Sequence, residues 1–233
     1  MIIWQFDDPM DPTYAVATRR GTWEPLAGKM CPECSGSGQK RIRPLIIEWE
    51  PGSNLVGDFV WPGLGGDVIV SEPAMTALDE HFSGFELAPV EMRENSERSA
   101  RVRSTRIVAF PYRGVRLFDL WVNCWVHMIP ELSSVELGNV CSTCGRKEYE
   151  LRGVERWETT WNQERLELVK HHHPRKANQG LFVRAQDMQG ADIFRVYEFP
   201  GCILCTDAVK ELVEGNAFTN VRFLEMGEVI ENE

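Results

Sequence analysis

The sequence has no stretch of about 18 uninterrupted apolar residues, the length that a membrane-spanning helix needs. Its richest run, residues 117–129, is broken by Asp119, Asn123 and His127. Residues 1–8 carry neither a basic segment nor a long apolar run, so no secretory signal is expected there. Positive charge is also short. The chain has 25 Lys and Arg against 35 Asp and Glu, a formal net charge of -10, which disfavours a phosphate-binding surface and suits a basic protein partner. The usual catalytic signatures are missing: no Gly-x-Ser-x-Gly elbow, no His-Glu-x-x-His and no Walker loop. The glycine-rich segment around Gly63 and Gly66 lacks the spacing of a phosphate cradle and runs into a strand, not a helix. Cys31-Pro32-Glu33-Cys34 resembles half of a zinc-deaminase signature, with no upstream His-x-Glu to complete it. A non-enzyme is expected. Seven cysteines, an odd number, fit a reducing cytoplasm better than a disulfide framework.

What is present is organised around two corners, Cys31-Pro32-Glu33-Cys34 and Cys141-Ser142-Thr143-Cys144. Zinc takes four soft or borderline ligands in a tetrahedron, and a two-residue spacer lets two thiolates of one tight turn fill two of its corners. Pro32 fixes φ after the first ligand, while Gly36 and Gly145 let backbone amides turn in towards sulfur. The spacing therefore predicts one zinc ion shared by Cys31, Cys34, Cys141 and Cys144. Four thiolates leave no open position, so the site would be structural. A redox dithiol and merely packed cysteines are the competing readings. Apolar residues make up 43% of the 233 positions and charged residues 26%. Such a chain can bury a substantial core, and zinc need not carry all of its stability.

Taken in order, residues 2–6, 14–18 and 42–49 read as strands, with Pro44 marking an edge or bulge, and residues 58–61 as a short apolar segment. Residues 68–70 form a buried strand, Ser71 caps a helix over 72–82, and residues 85–87 alternate like a strand. The same grammar returns near the C-terminus: strand 203–205, cap Thr206, helix 207–213, strand 221–224. Setting Ser71 on Thr206 places Gly66 on Gly201, Phe59 on Phe194 and, with one residue inserted, Leu87 on Phe223. This predicts an α+β protein of two strand-helix-strand pseudo-repeat units on mostly antiparallel sheet. The halves, about 1–100 and 101–233, would form a single domain joined by the zinc-ribbon-like site. Common strand-cap-helix grammar is the plainer explanation of the match.

Between the units, residues 91–104 read as an exposed connection and 106–110 as a strand. Residues 117–129 are ambiguous: their polar positions recur every four, which favours helix, while their Trp and Val content favours strand. Residues 147–151 and 166–170 read as strands flanking a polar stretch, 157–164. His171-His172-His173 reads as a solvated loop, because three adjacent side chains point in different directions. Cys202 and Cys205 form a third Cys-x-x-Cys. Three positions apart on an extended strand, however, they point to opposite faces and cannot grip one ion. They are expected in the core, as is Cys124.

The paired corners, the glycines behind them and the closing block from Phe199-Pro200-Gly201 to Val221-Arg222-Phe223 resemble the double-CXXCG family of myxobacterial paralogues. Ser35 stands where that family's pattern has glycine, which removes no ligand. The resemblance implies a SitI-type immunity protein, an antitoxin paired with a SitA lipoprotein toxin. Such a protein would act in the cytoplasm by binding its toxin directly, with no part for nucleic acid or membrane. The alternatives are a zinc-ribbon nucleic-acid-binding or regulatory protein, to which Arg101, Arg103, Arg106, Arg113 and Arg116 would contribute, and a thiol- or zinc-dependent enzyme.

Overall fold

A computed structural model describes residues 1–20, 23–25, 31–34, 39–41, 44–63, 66–95, 106–162 and 167–231. The N-terminal part holds β1 (Ile2–Asp7), β2 (Ala17–Arg20), β3 (Trp23–Pro25), β4 (Gln39–Arg41), β5 (Ile46–Trp49), β6 (Phe59–Val60) and β7 (Ile69–Ser71). Helix α1 (Glu72–Asp79) follows, then β8 (Phe85–Pro89), β9 (Glu91–Arg93), β10 (Leu117–Val122) and β11 (Trp125–Val126). Two hairpins come next, β12 (Val135–Val140) with β13 (Lys147–Leu151) and β14 (Arg156–Asn162) with β15 (Glu167–His173). The chain closes with β16 (Leu181–Arg184), α2 (Ala185–Met188), β17 (Ile193–Val196), β18 (Phe199–Cys205), α3 (Asp207–Gly215) and β19 (Arg222–Ile230). The fold is mixed α+β, rich in strands and mostly antiparallel.

Six strands run in the order β11-β17-β18-β1-β19-β16. The sheet curls on itself until Met128, just past β11, bridges Val183 of β16, and the Ile129 amide reaches the Phe182 carbonyl at 2.7 Å. Strand alternation sorts the side chains between the two faces. Ile3, Val126, Met128, Phe194, Leu204 and Met226 pack on the inner side, with Met188 of α2. Phe6, Ile193, Ile203, Cys205 and Phe223 face outward, into a second core completed by α1, α3 and the sheet β6-β7-β10-β8. A third cluster, around Leu45, Ile47, Trp49 and Leu117, backs the small sheet β2-β5-β9.

The two strand-helix-strand segments are built alike. β7 and β8 are both antiparallel partners of β10, and β18 and β19 are both antiparallel partners of β1. Phe118 pairs with Val70 as Trp4 pairs with Cys205, and Leu120 pairs with Leu87 as Phe6 pairs with Phe223. The segments also exchange loops. The Thr219 amide and hydroxyl donate to the Asp58 carboxylate at 2.9 and 2.8 Å, while the Phe59 amide donates to the Thr219 carbonyl at 3.1 Å. Reciprocally, the Ser83 amide donates to the Asp192 carboxylate at 3.2 Å and the Ile193 amide to the Ser83 carbonyl at 3.1 Å. Phe59 lies opposite Val70 and Ile193 opposite Cys205.

Several local expectations change. Residues 106–110 are irregular, and Glu91–Arg93 is a strand parallel to β5 instead of free connection; residues 96–105 lie outside the described positions. Residues 117–129 resolve as strands β10 and β11: β10 lies between β7 and β8 with side chains on both of its faces covered, and Leu117, Asp119, Leu120 and Val122 are all buried. The polar stretch after Arg156 and the His171–His173 run pair with each other as β14 and β15, with Trp157 opposite His172. Helix α1 ends at Asp79, three residues early, and β5 begins only at Ile46, past Pro44.

Candidate metal centre

Each cysteine corner joins two paired strands. Cys31 and Cys34 lie on the connection between β3 and β4, whose register closes at Pro25 opposite Gln39. Cys141 and Cys144 form the turn between β12 and β13, closed by Val140 opposite Lys147. In that second turn the Gly145 amide donates to the Cys141 carbonyl at 2.9 Å and the Cys141 amide to the Arg146 carbonyl at 2.8 Å. Gly145 has φ +72° and nothing near the place of a Cβ, so glycine serves here for its backbone angle and not for space. Gly36, the matching glycine of the first corner, lies outside the described residues.

The two corners, 110 residues apart in sequence, meet. Cys31 Sγ lies 3.6 Å from Cys141 Sγ, and Cys34 Sγ lies 3.6 Å from Cys144 Sγ. All four sulfurs are within 4.8 Å of one another. A disulfide requires about 2.05 Å between sulfurs. Thiolates about 2.3 Å from a tetrahedrally held ion stand about 3.8 Å apart. The spacing fits four ligands around one ion, and the four cysteines could hold it. Cys31 and Cys141 are buried, Cys34 is half-buried and Cys144 is exposed, so the ion would sit at the rim of the protein. The Cys31 thiol is lowered to about 7, first by the Cys34 amide and then by the Glu33 amide aimed at its sulfur, while the thiols of Cys141 and Cys144 beside it are raised.

Glu33, in the spacer of the first corner, reaches across to the spacer of the second. Its carboxylate accepts from the Ser142 hydroxyl at 2.7 Å, the Thr143 hydroxyl at 2.5 Å and the Thr143 amide at 3.2 Å. Hydrogen bonds from Thr143 and then Ser142 hold this carboxyl below its ordinary range. Sequence spacing alone did not single out Glu33, although a carboxylate facing two hydroxyl residues across paired corners was there to be noticed.

The other candidates stay apart. Cys205 packs in the outer core and Cys202 against the inner one, on opposite faces of β18 as alternation predicts. Burial pushes the Cys205 thiol far up. Cys124 donates to the Met188 carbonyl at 3.7 Å and is likewise pushed up by burial. His172 stacks on Trp157 with centroids 4.7 Å apart and meets Glu155 at 2.7 Å, while His171 turns to the Thr160 hydroxyl at 2.9 Å. Among the described residues, the four cysteines are the one group of three or more such side chains placed to hold an ion. Of the arginines named for nucleic acid, Arg116 is paired with Glu72, and Arg101 and Arg103 lie outside the described residues.

One surface feature was hidden in the ambiguous 117–129 stretch. Trp125 and His127 flank Tyr197, with ring centroids 5.3 and 4.5 Å from it, on the outer wall of the curled sheet. Tyr197 is 55% exposed. Clefts of about 460 and 450 Å³ open on its two sides, the first lined also by Arg146, Lys147 and Tyr149 at the base of the second cysteine turn. No protein-family model matches the chain, and no curated protein matches it. No helix is long and apolar enough to cross a membrane.

Proposed function

We propose that the protein is a zinc-stabilised immunity protein that neutralises a cognate toxin by direct, stoichiometric binding in the cytoplasm. The observation that carries the reading furthest is the convergence of Cys31, Cys34, Cys141 and Cys144. These are the same residues on which the resemblance to the double-CXXCG family rests. Four thiolates around one ion saturate a tetrahedron, which suits a stabilising role and leaves the work of the protein to its surface. A net charge of -10 would speed encounter with a basic partner. The exposed Tyr197 strip has the aromatic character on which protein interfaces concentrate binding energy. We further read the two strand-helix-strand segments as copies of one unit, a reading that the matched pairing and the exchanged loops support.

The test is to co-express the chain with the toxin encoded beside it and to titrate the purified pair. Protection saturating near one equivalent, and weakening as added salt screens the acidic surface, is the expected result. A chain that neither binds nor protects would return it to a metal-held binding protein of another kind. One observation favours a second reading. Trp125, His127 and Tyr197 lie beside Arg146 and Lys147, with Glu148 and Glu198 in the same cleft, and could stack bases as single-strand binders do, the basic pair meeting the backbone. A salt-dependent gel shift with single-stranded oligonucleotides would decide for that alternative.

A further inference from the structure

We propose that Glu33 is the positioning residue of the metal centre: its carboxylate docks the second cysteine turn onto the first and thereby sets how tightly the four thiolates hold an ion. The inference rests on the metal reading given above. Glu33, Ser142 and Thr143 are three of the four spacer residues between ligands, Pro32 being the fourth. One carboxylate oxygen, Oε2, takes the Ser142 hydroxyl at 2.7 Å, the Thr143 hydroxyl at 2.5 Å and the Thr143 amide at 3.2 Å. The Cys141 thiol donates to the same oxygen at 3.5 Å, a bond that goes when the sulfur gives up its proton to a metal, so the clamp rests on the other three. These contacts join residues 109 and 110 positions apart, at the place where sulfurs from different corners stand 3.6 Å from each other.

The clamp is made by protein groups alone. It brings the ligand pairs to the separation that a tetrahedral ion requires, so less ordering remains to be done when the ion binds. Outer partners of this kind typically change metal affinity by about 10- to 100-fold when removed. Glu33, Ser142 and Thr143 are exposed, and hydrogen bonds so open to water add little to global stability. The effect of the clamp is therefore expected in metal affinity and not in the unfolding of the metal-free chain. A glutamine keeps one accepting oxygen but loses the charge that strengthens all three bonds, so it should keep part of the effect.

The full chain is titrated with Co²⁺, followed by the visible absorption of thiolate-bound cobalt, and with Zn²⁺ against a competing chelator. Glu33→Ala should weaken both ions by about 10- to 100-fold, with Glu33→Gln between it and the parent. Ser142→Ala with Thr143→Val removes the two hydroxyl donors but keeps the Thr143 amide, so it should lose less than Glu33→Ala. Joining these to Glu33→Ala should add nothing beyond the loss of Glu33→Ala alone, because the acceptor of those hydroxyls is then already gone. Urea midpoints of the metal-free variants should equal that of the parent, separating the clamp from a general folding defect. An affinity for Glu33→Ala within about twofold of the parent, or losses from the two sides that simply multiply, would overturn the clamp alone. A parent chain that binds neither ion overturns the metal reading and the clamp with it.

Discussion

Ser71 and Thr206 stand at the same position of their two helices and are served differently. The Ser71 hydroxyl accepts from the Ala74 amide at 3.5 Å and donates to Asp58 at 2.8 Å. The Thr206 hydroxyl is buried and finds no hydrogen-bond partner among the described residues, although the Thr206 amide reaches the Asp192 carbonyl at 3.0 Å. A buried hydroxyl left unpaired costs about 1–3 kcal/mol. Thr206→Val, which keeps the shape and removes the hydroxyl, is therefore expected to hold or raise the urea midpoint. Ser71→Ala, which removes a working cap, should lower stability by about 1 kcal/mol. Urea unfolding of the two variants checks both signs, and a larger loss in Thr206→Val would reverse the assignment. At this scale the sequence was most legible where chemistry dictates spacing. The two-residue spacer singled out all four clustered cysteines, and period-two alternation correctly parted Cys202 from Cys205. Glu33 went unread: once the corners are paired its carboxylate faces the two hydroxyl residues of the other spacer, but ligand spacing by itself assigns the spacer residues no role.

Among the elements, those whose signal is local were readable: β7 with its capped helix α1, the core of β18, and α3. Where pairing partners lie far away the pattern misled. The polar positions 119, 123 and 127 mimic a helical period, yet Asp119 is fully buried opposite Ile69 and His127 lies on the outer wall. The His171–His173 run reads as loop by composition and becomes strand because Arg156, Trp157 and Glu158 pair with it. The loop exchange between the two strand-helix-strand segments allows a sharper statement. Asp58 accepts three hydrogen bonds, from the Ser71 hydroxyl and from the Thr219 amide and hydroxyl. Asp192 meets Ser83 through longer and more exposed contacts, at 3.2 and 3.5 Å. Asp58→Ala should therefore destabilise by about 2 kcal/mol or more, since it strands donors in a half-buried place, and Asp192→Ala by less than about 1 kcal/mol. Equal losses in a urea comparison would mean that the backbone pairs Phe59–Thr219 and Ile193–Ser83, not the carboxylates, carry the exchange.

For the whole molecule, α+β class and a shared four-cysteine cluster followed from composition and spacing, whereas the closing of the six-stranded sheet did not. That closure depends on Met128 meeting Val183, a contact no local periodicity encodes. It bears on what the metal does. The three cores, around Phe59 and Leu78, around Ile3 and Leu204, and around Ile47 and Trp49, are built without any of the four clustered cysteines. The ion would then act as a cross-link between two hairpins, not as the nucleus on which the chain folds. A link closing a loop of 110 residues restricts the unfolded chain by roughly 4–5 kcal/mol in the chain-entropy model. An isolated zinc finger, by contrast, depends on its ion for folding altogether. Stripping the metal with a chelator, or replacing Cys141 with Ser, should therefore lower the urea midpoint by a cost of that order while leaving a cooperative transition and the near-ultraviolet signal of the buried aromatic residues. The two treatments should not add, because each removes the same link. Complete unfolding on chelation at room temperature would show instead that the cores cannot stand without the hairpins held together, and the stabilising role of the cluster would have to be raised to that of a folding nucleus.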